Sequence, residues 1–394
     1  MLWISDWLRH RFNGDLLWDP TDPETSDHAG LRILALEKAM KCIEEEIIGL
    51  ELKTNREQIE DSNSGTRSTM GIWFQIADKL AEASLVFSYS KVGYKLRNKM
   101  WDHNPQLDSM GDRVVVITGA SSGIGRAAAI EFLRMGATVV LAVRNRAAGE
   151  AARDEMIQLT QNDRVVLERV DVSSLGSVEA FCDRLTESFP AIDVLLHNAG
   201  TMAHDYSETR EGNEVTWATH VLGPFLMTKR LEPLLLEAEQ GRVVFVSSGG
   251  MYAARLNVED PQWRGAGYSG IKQYARTKRA QLVLTTLLAR QLETTRVTVN
   301  AMHPGWAATK AVAEKLPRFN QIMGPILRSP EEGADTLVWL GSSPDVTRET
   351  GMLWFDRAPR KHYVVPGTRH TSEEERALWT QCCDATDVDS PLPF

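Results

Sequence analysis

From Arg113 onward, short apolar runs alternate with stretches of helical length, and this alternation limits the fold more than any other feature of the 394 residues. The runs fall at 114–118, 138–143, 165–170, 192–196, 243–246 and 297–299. Strands buried on both faces read as continuous apolar runs, and parallel neighbours need a right-handed crossover, usually a helix. The expected fold is α/β, a doubly wound parallel sheet with helices on both faces. The first run ends in Thr118-Gly119-Ala120-Ser121-Ser122-Gly123-Ile124-Gly125, with a helix expected near 123–135. Gly119 permits a tight turn, Gly123 lets backbone approach a pyrophosphate, and Gly125 allows helix and strand to pack closely. Around Ser121, Ser122 and Ile124 the helix start offers unpaired N–H groups and a partial positive charge.

A strand before this turn and a helix after it supply the context of a Rossmann-type dinucleotide site. The cofactor can be read one step further. A carboxylate at the end of the second strand holds the ribose 2′-hydroxyl of NAD, whereas arginine accommodates the 2′-phosphate of NADP. Here that end reads Leu141-Ala142-Val143-Arg144-Asn145-Arg146, with no acid before Glu150. Arg144 can present a bidentate fork to phosphate, so NADP(H) is the expected cofactor.

The first 110 residues read differently. Ile33, Leu36, Met40, Ile43, Ile47 and Leu50 place an apolar seam on one helix face, for packing within the protein or for self-association. Asp61-Ser62-Asn63-Ser64-Gly65 reads as a linker. Residues 71–107 resume a helical pattern that ends in Lys95, Arg97 and Lys99, suited to docking on the protein or to contact with a membrane surface. The expected organisation is a helical extension over 1–70, a helical lead-in over 71–110 and a dinucleotide-binding domain over 111–384. A net charge of −9 with no basic cluster argues against nucleic acid as a partner. Four cysteines without metal-type spacing give no disulfide framework and no metal site. No apolar run approaches the roughly 18 residues that span a bilayer. Asp6, Arg9, His10 and Arg11 interrupt any secretory signal. A cytoplasmic location is expected, with mitochondrial and membrane-peripheral placements left open.

The glycine spacing, Gly-x-x-x-Gly-x-Gly, resembles that of the short-chain dehydrogenases/reductases, and three further stretches agree in order. Asp171-Val172 resembles the pair that borders the adenine, and Leu196-His197-Asn198-Ala199-Gly200 the family's Asn-Asn-Ala-Gly. His303-Pro304-Gly305 followed by Thr309 is similar to the segment that borders the nicotinamide. The resemblance covers roughly 110–360, and the long connection 249–266 looks like the retinol-dehydrogenase-like branch. It implies hydride chemistry on an alcohol/carbonyl pair through a Tyr-x-x-x-Lys motif.

Two such motifs are present, Tyr268 with Lys272 and Tyr274 with Lys278. Gly265, Gly267 and Gly270 crowd the first, and glycine inside a helix costs about 1 kcal/mol. The second leads a long breaker-free helix, so Tyr274 and Lys278 are the expected pair. A free phenol has a pKa near 10, which a neighbouring ammonium lowers toward neutrality. Tyr274 would exchange a proton with the substrate oxygen, and by resemblance Lys278 would also bind the nicotinamide ribose. Ser248, with Ser247 as a minor alternative, would hydrogen-bond the reacting oxygen. His220 stands where the resemblance implies an asparagine that links the lysine to solvent through water. Imidazole can relay protons, or it can be a satisfied helix histidine without a role. Met251, Tyr252, Trp263, Trp306 and Phe319 are candidates for an apolar substrate pocket or for core.

The expected function is NADP(H)-dependent interconversion of a small hydrophobic alcohol and its carbonyl. The alternative is a weakened or inactive NADP(H)-binding regulatory or scaffold module, motivated by His220. A sugar-nucleotide epimerase fits less well, since the glycine spacing differs. Oligomeric state is left open; by resemblance, a homodimer would pair through the helix of Tyr274.

Overall fold

The computed structural model describes residues 88–99, 101, 109–308, 320–321 and 323–392. The extension 1–70, most of the lead-in, Thr309 and Phe319 lie outside them. The chain divides into two compact units, 1–80 with 321–325, and 81–320 with 326–394. The sheet, its helices and the described part of the lead-in belong to the second.

β1 (Val114–Thr118), β2 (Thr138–Val143) and β3 (Val165–Arg169) form one half of the sheet. β4 (Val194–His197), β5 (Arg242–Val246) and β6 (Thr298–Met302) form the other. The order is β3-β2-β1-β4-β5-β6, all parallel, followed by β7 (Leu353–Phe355) and by β8 (Ala358–Arg360), which alone runs antiparallel to its neighbour. Winding therefore reverses between β1 and β4, and the crevice at their carboxyl ends is where such sheets bind ligands.

Helices cover both faces: α1 (Lys91–Asn98), α2 (Gly123–Arg134), α3 (Arg146–Thr160), α4 (Leu175–Ser188), α5 (Gly223–Glu237), α6 (Gly270–Gln291), α7 (Pro330–Ser342) and α8 (Ser372–Thr386). Alternate residues of β1 enter different cores, as the two-residue period of a strand requires. Val115 and Ile117 pack with Phe132, Met156 and Leu337 of α2, α3 and α7. Val116 packs with the layer that holds Leu185, Phe225, Leu284 and Trp379 of α4, α5, α6 and α8.

β3, β4, β5 and β6 shift their bounds from the expected places, two of them for a visible reason, and one pair of strands is new. Ile192 and Asp193 precede β4 because Asp193 is a clamp: its carboxylate accepts from the Val114 N–H and from Arg113, both at 2.8 Å. β6 runs on through Asn300, which breaks the apolar run but is buried with its amide bonded to Glu349, Met352 and Trp354. β7 and β8 have three residues each, too short to leave a periodic signal. α1 docks on this unit: Arg97 and Tyr94 are buried, and the Tyr94 hydroxyl donates to Asp335.

Candidate active site

The glycine turn sits at the crevice. Gly119 and Gly123 adopt φ of 69° and 56°, values that side chains rarely allow. Gly125 packs so closely that an added Cβ would lie 2.6 Å from the Gly119 carbonyl oxygen. Ser122 caps α2 in an extended conformation without a side-chain capping bond, so the first-turn N–H groups remain available to an anion. Asn198 braces the turn from β4, its amide donating to the Thr118 carbonyl at 2.8 Å. Thr118 Oγ1 in turn accepts the N–H groups of Asn198 and Ala199, both at 3.0 Å.

The crevice is one cleft of about 1470 Å³, wide enough for a dinucleotide together with a small substrate. Gly119, Ser121, Ser122, Gly123 and Ile124 line it at one end, with Arg144, Asp171 and Val172. Asn198, Ala199 and Gly200 line its middle, and Ser248, Tyr274, Lys278, Pro304 and Gly305 its far wall. Gly125 and His220 are not among the lining residues. Arg144 is exposed at the end of β2, and among the described residues no carboxylate pairs with it, whereas Arg146 is tied to Glu150 at 2.9 Å. Unpaired N–H groups and an arginine at one edge are a donor set that fits a dinucleotide bearing an extra phosphate.

At the far wall the two Tyr-x-x-x-Lys motifs separate. Tyr268 precedes α6, which starts at Gly270, and its hydroxyl donates to the fully buried carboxylate of Glu214 at 3.0 Å. Lys272 is exposed, so that pair shares no helix face. Tyr274 and Lys278 lie one turn apart inside α6, with the ammonium 5.6 Å from the phenol ring centroid. The Ser248 side chain lies beside the Tyr274 phenol, and its Oγ accepts the Gly250 N–H at 3.3 Å. The Ser247 hydroxyl is turned away and donates to the Lys278 carbonyl at 3.2 Å.

Burial governs the charges here. It raises the Tyr274 phenol above its ordinary value, against a smaller opposing effect of the adjacent Ser248 hydroxyl. It pulls Lys278 down to about 7. The expected lowering of the phenol by the ammonium is thus outweighed, because Lys278 directs its Nζ to the Val246 carbonyl and Gln281 rather than to the phenol.

His220 occupies a π-helical turn, Ala218–Leu222, that leads into α5. The Thr201 N–H donates to its Nε2 at 3.0 Å, which assigns the ring proton to Nδ1, 2.8 Å from Thr277 Oγ1. Thr277 passes its own proton to the Tyr274 carbonyl at 2.8 Å. Burial, then the Lys278 charge, holds His220 well below its ordinary pKa. It is a neutral ring with both nitrogens engaged, edge-on to Tyr274 at 5.3 Å.

Of the apolar candidates for the pocket, Trp306 lines the cleft. Met251 is core, the Tyr252 hydroxyl donates to the Lys361 carbonyl, and Trp263 stacks on the Arg276 guanidinium at 3.9 Å. Met202, Leu256, Val258 and Ile271 line it instead. Ile271 is 61% accessible one turn before Tyr274, an exposure that only the fold reveals.

A family model described as short chain dehydrogenase matches residues 113–318. Dehydrogenase/reductase SDR family member 12 of Bos taurus is 35% identical over 292 residues, 74% of this chain and 91% of that protein. Retinol dehydrogenase 14 of Mus musculus is 37% identical over 263 residues, 63% of this chain and 78% of that protein. Among solved structures, a short chain dehydrogenase from Shigella flexneri complexed with NADP has a TM-score of 0.52 at 28% identity, covering 64% of this chain and all of that one. The chain belongs to the short-chain dehydrogenase/reductase family, a family of NAD(P)-dependent oxidoreductases of alcohols and carbonyls.

Proposed function

We propose that this protein reduces a small hydrophobic aldehyde or ketone, or oxidises the matching alcohol, with NADP(H). One observation carries the reading. Ser248 and Tyr274, with Lys278 one turn beyond, stand side by side on the wall of the same cleft that begins at the glycine turn and Arg144. The first-turn N–H groups of α2 would hold the pyrophosphate and Arg144 the 2′-phosphate. Pro304 and Gly305 would border the nicotinamide. When bound, the nicotinamide supplies or accepts the hydride. Tyr274 gives the substrate oxygen its proton in reduction and takes it back in oxidation. Ser248, which receives an N–H from Gly250, is free to donate to the same oxygen and stabilise its developing charge. Met202, Leu256, Ile271 and Trp306 exclude water and select an apolar substrate. Relatives named retinol dehydrogenases and structural neighbours complexed with NADP or NADPH support the substrate class and the cofactor.

The test is NADPH consumption by the purified full chain across a panel of apolar aldehydes and ketones. NADPH binding without turnover on any of them would favour a nucleotide-binding module. Arg144→Ala is expected to weaken NADPH binding by about 10- to 100-fold, the loss of charge-assisted hydrogen bonds, while NADH binding is unchanged. Equal losses for both cofactors would remove Arg144 from the phosphate site.

Direction depends on pH with a definite sign. A phenol raised above its ordinary pKa is protonated at neutral pH, ready to donate in reduction. Oxidation needs the phenolate, whose fraction rises about tenfold per pH unit below the pKa. Alcohol oxidation is therefore expected to climb from pH 7 to 9, while carbonyl reduction falls over the same range as Lys278, held down to about 7, loses its charge, as read from initial rates in both directions.

A further inference from the structure

The Lys278 ammonium makes two hydrogen bonds, to the Val246 carbonyl at 2.8 Å and to Gln281 Oε1 at 3.0 Å. The first acceptor is backbone of β5 and comes with the fold. The second is a fully buried side chain one turn further along α6. Its other end, Nε2, meets no acceptor among the described residues. An unpaired buried N–H group is destabilising, and a leucine at 281, beside Leu282, Leu284 and Leu288, would carry no such penalty. A buried polar group that lowers stability calls for an explanation, and at Gln281 the bond to Lys278 supplies it. The amide's orientation follows as well, since turning it over would aim N–H at ammonium, donor against donor.

We propose that Gln281 is a positioning residue, which holds the Lys278 ammonium at a fixed point beside Tyr274 and favours its charged form. The groups that face Lys278 leave this task to Gln281. Tyr274 presents its ring from the same helix, and His220 presents a neutral imidazole from the π-helical turn. β5 and its end supply the Val246 carbonyl, Ser247 and Ser248. Among the described residues no carboxylate pairs with Lys278, and burial brings it down to about 7. Near that balance one acceptor decides how much charge the site carries at neutral pH. The catalytic consequence rests on the proposed reaction, but the placement does not.

The test reads Lys278 directly. Full-length protein is labelled with acetic anhydride across a pH series, and acylation at Lys278 is quantified by mass spectrometry. Gln281→Glu is expected to move the Lys278 titration upward by about one pH unit or more, a tenfold change in its constant. Gln281→Leu is expected to move it downward and to lower kcat for carbonyl reduction about tenfold, with an unfolding midpoint no lower than the parent's. Gln281→Asn, with its shorter reach, should follow Leu and replaces that variant if it fails to fold. Titrations that coincide with the parent, or that shift the same way in Glu and Leu, overturn the proposal. If no protein turns over while the titrations still part in opposite directions, the proposed reaction fails and the positioning stands.

Discussion

Tyr274→Phe is expected to lower kcat for carbonyl reduction by about 10²- to 10⁴-fold, the range for removing a general acid, while NADPH binding is unchanged. The change deletes one oxygen from a partly buried ring whose contacts with His220 and Lys278 are made by its faces and edge. Neither the packing nor the phosphate end of the cleft is disturbed. Tyr268→Phe is the contrasting variant. Its hydroxyl donates to the fully buried carboxylate of Glu214, so its removal should cost about 1–3 kcal/mol of stability and leave kcat alone. Loss of turnover in Tyr268→Phe with full activity in Tyr274→Phe would assign the chemistry to the other tyrosine. Single-turnover rates separate the chemical step from cofactor release in both.

The two tyrosines also mark how much of this site can be read without coordinates. Six parallel strands and the phosphate turn were legible because valine-rich runs and glycines report local constraints, burial on two faces and positive φ. The choice of Tyr274 followed from glycine's cost inside a helix, and α6 does begin at Gly270, beyond Tyr268. What escaped was non-local. His220 could be a relay or a satisfied ring until Thr277, 57 residues away, and the Thr201 N–H took its two nitrogens. The sign of the effect on the Tyr274 phenol was misjudged because the i, i+4 rule brings the lysine near but does not say where its ammonium goes. In the fold it goes to the end of β5 and to Gln281. Met251 and Trp263 failed as pocket residues for the same reason: apolar character is local, but the direction a side chain faces is set by what packs on it. The described part of the lead-in is the largest case, since nothing in 88–98 announces that its arginine ends in a buried ion cluster.

That cluster leads to the second large effect. Asp356→Ala is expected to lower the free energy of unfolding by about 3–5 kcal/mol, measured by urea denaturation of the full chain at neutral pH. The Asp356 carboxylate accepts from Arg97 at 2.9 Å and from both terminal nitrogens of Arg328, at 2.6 and 2.9 Å. Arg97, Arg328 and Asp356 are 3%, 1% and 3% accessible, so the variant leaves two buried guanidiniums without the carboxylate they share. Arg97→Met should be milder, because Arg328 and Asp356 keep their two-pronged contact. Equal losses in the two variants, or less than about 1 kcal/mol in Asp356→Ala, would mean that the cluster contributes by packing alone. The damage should also reach the cleft before the protein unfolds. Arg328 packs against Gly305 and donates to the Tyr89 carbonyl at 3.1 Å, and the Trp306 N–H donates to the same carbonyl at 2.8 Å. Residues 304–306 line the proposed nicotinamide end, so Asp356→Ala should raise KM for NADPH at temperatures where the protein remains folded.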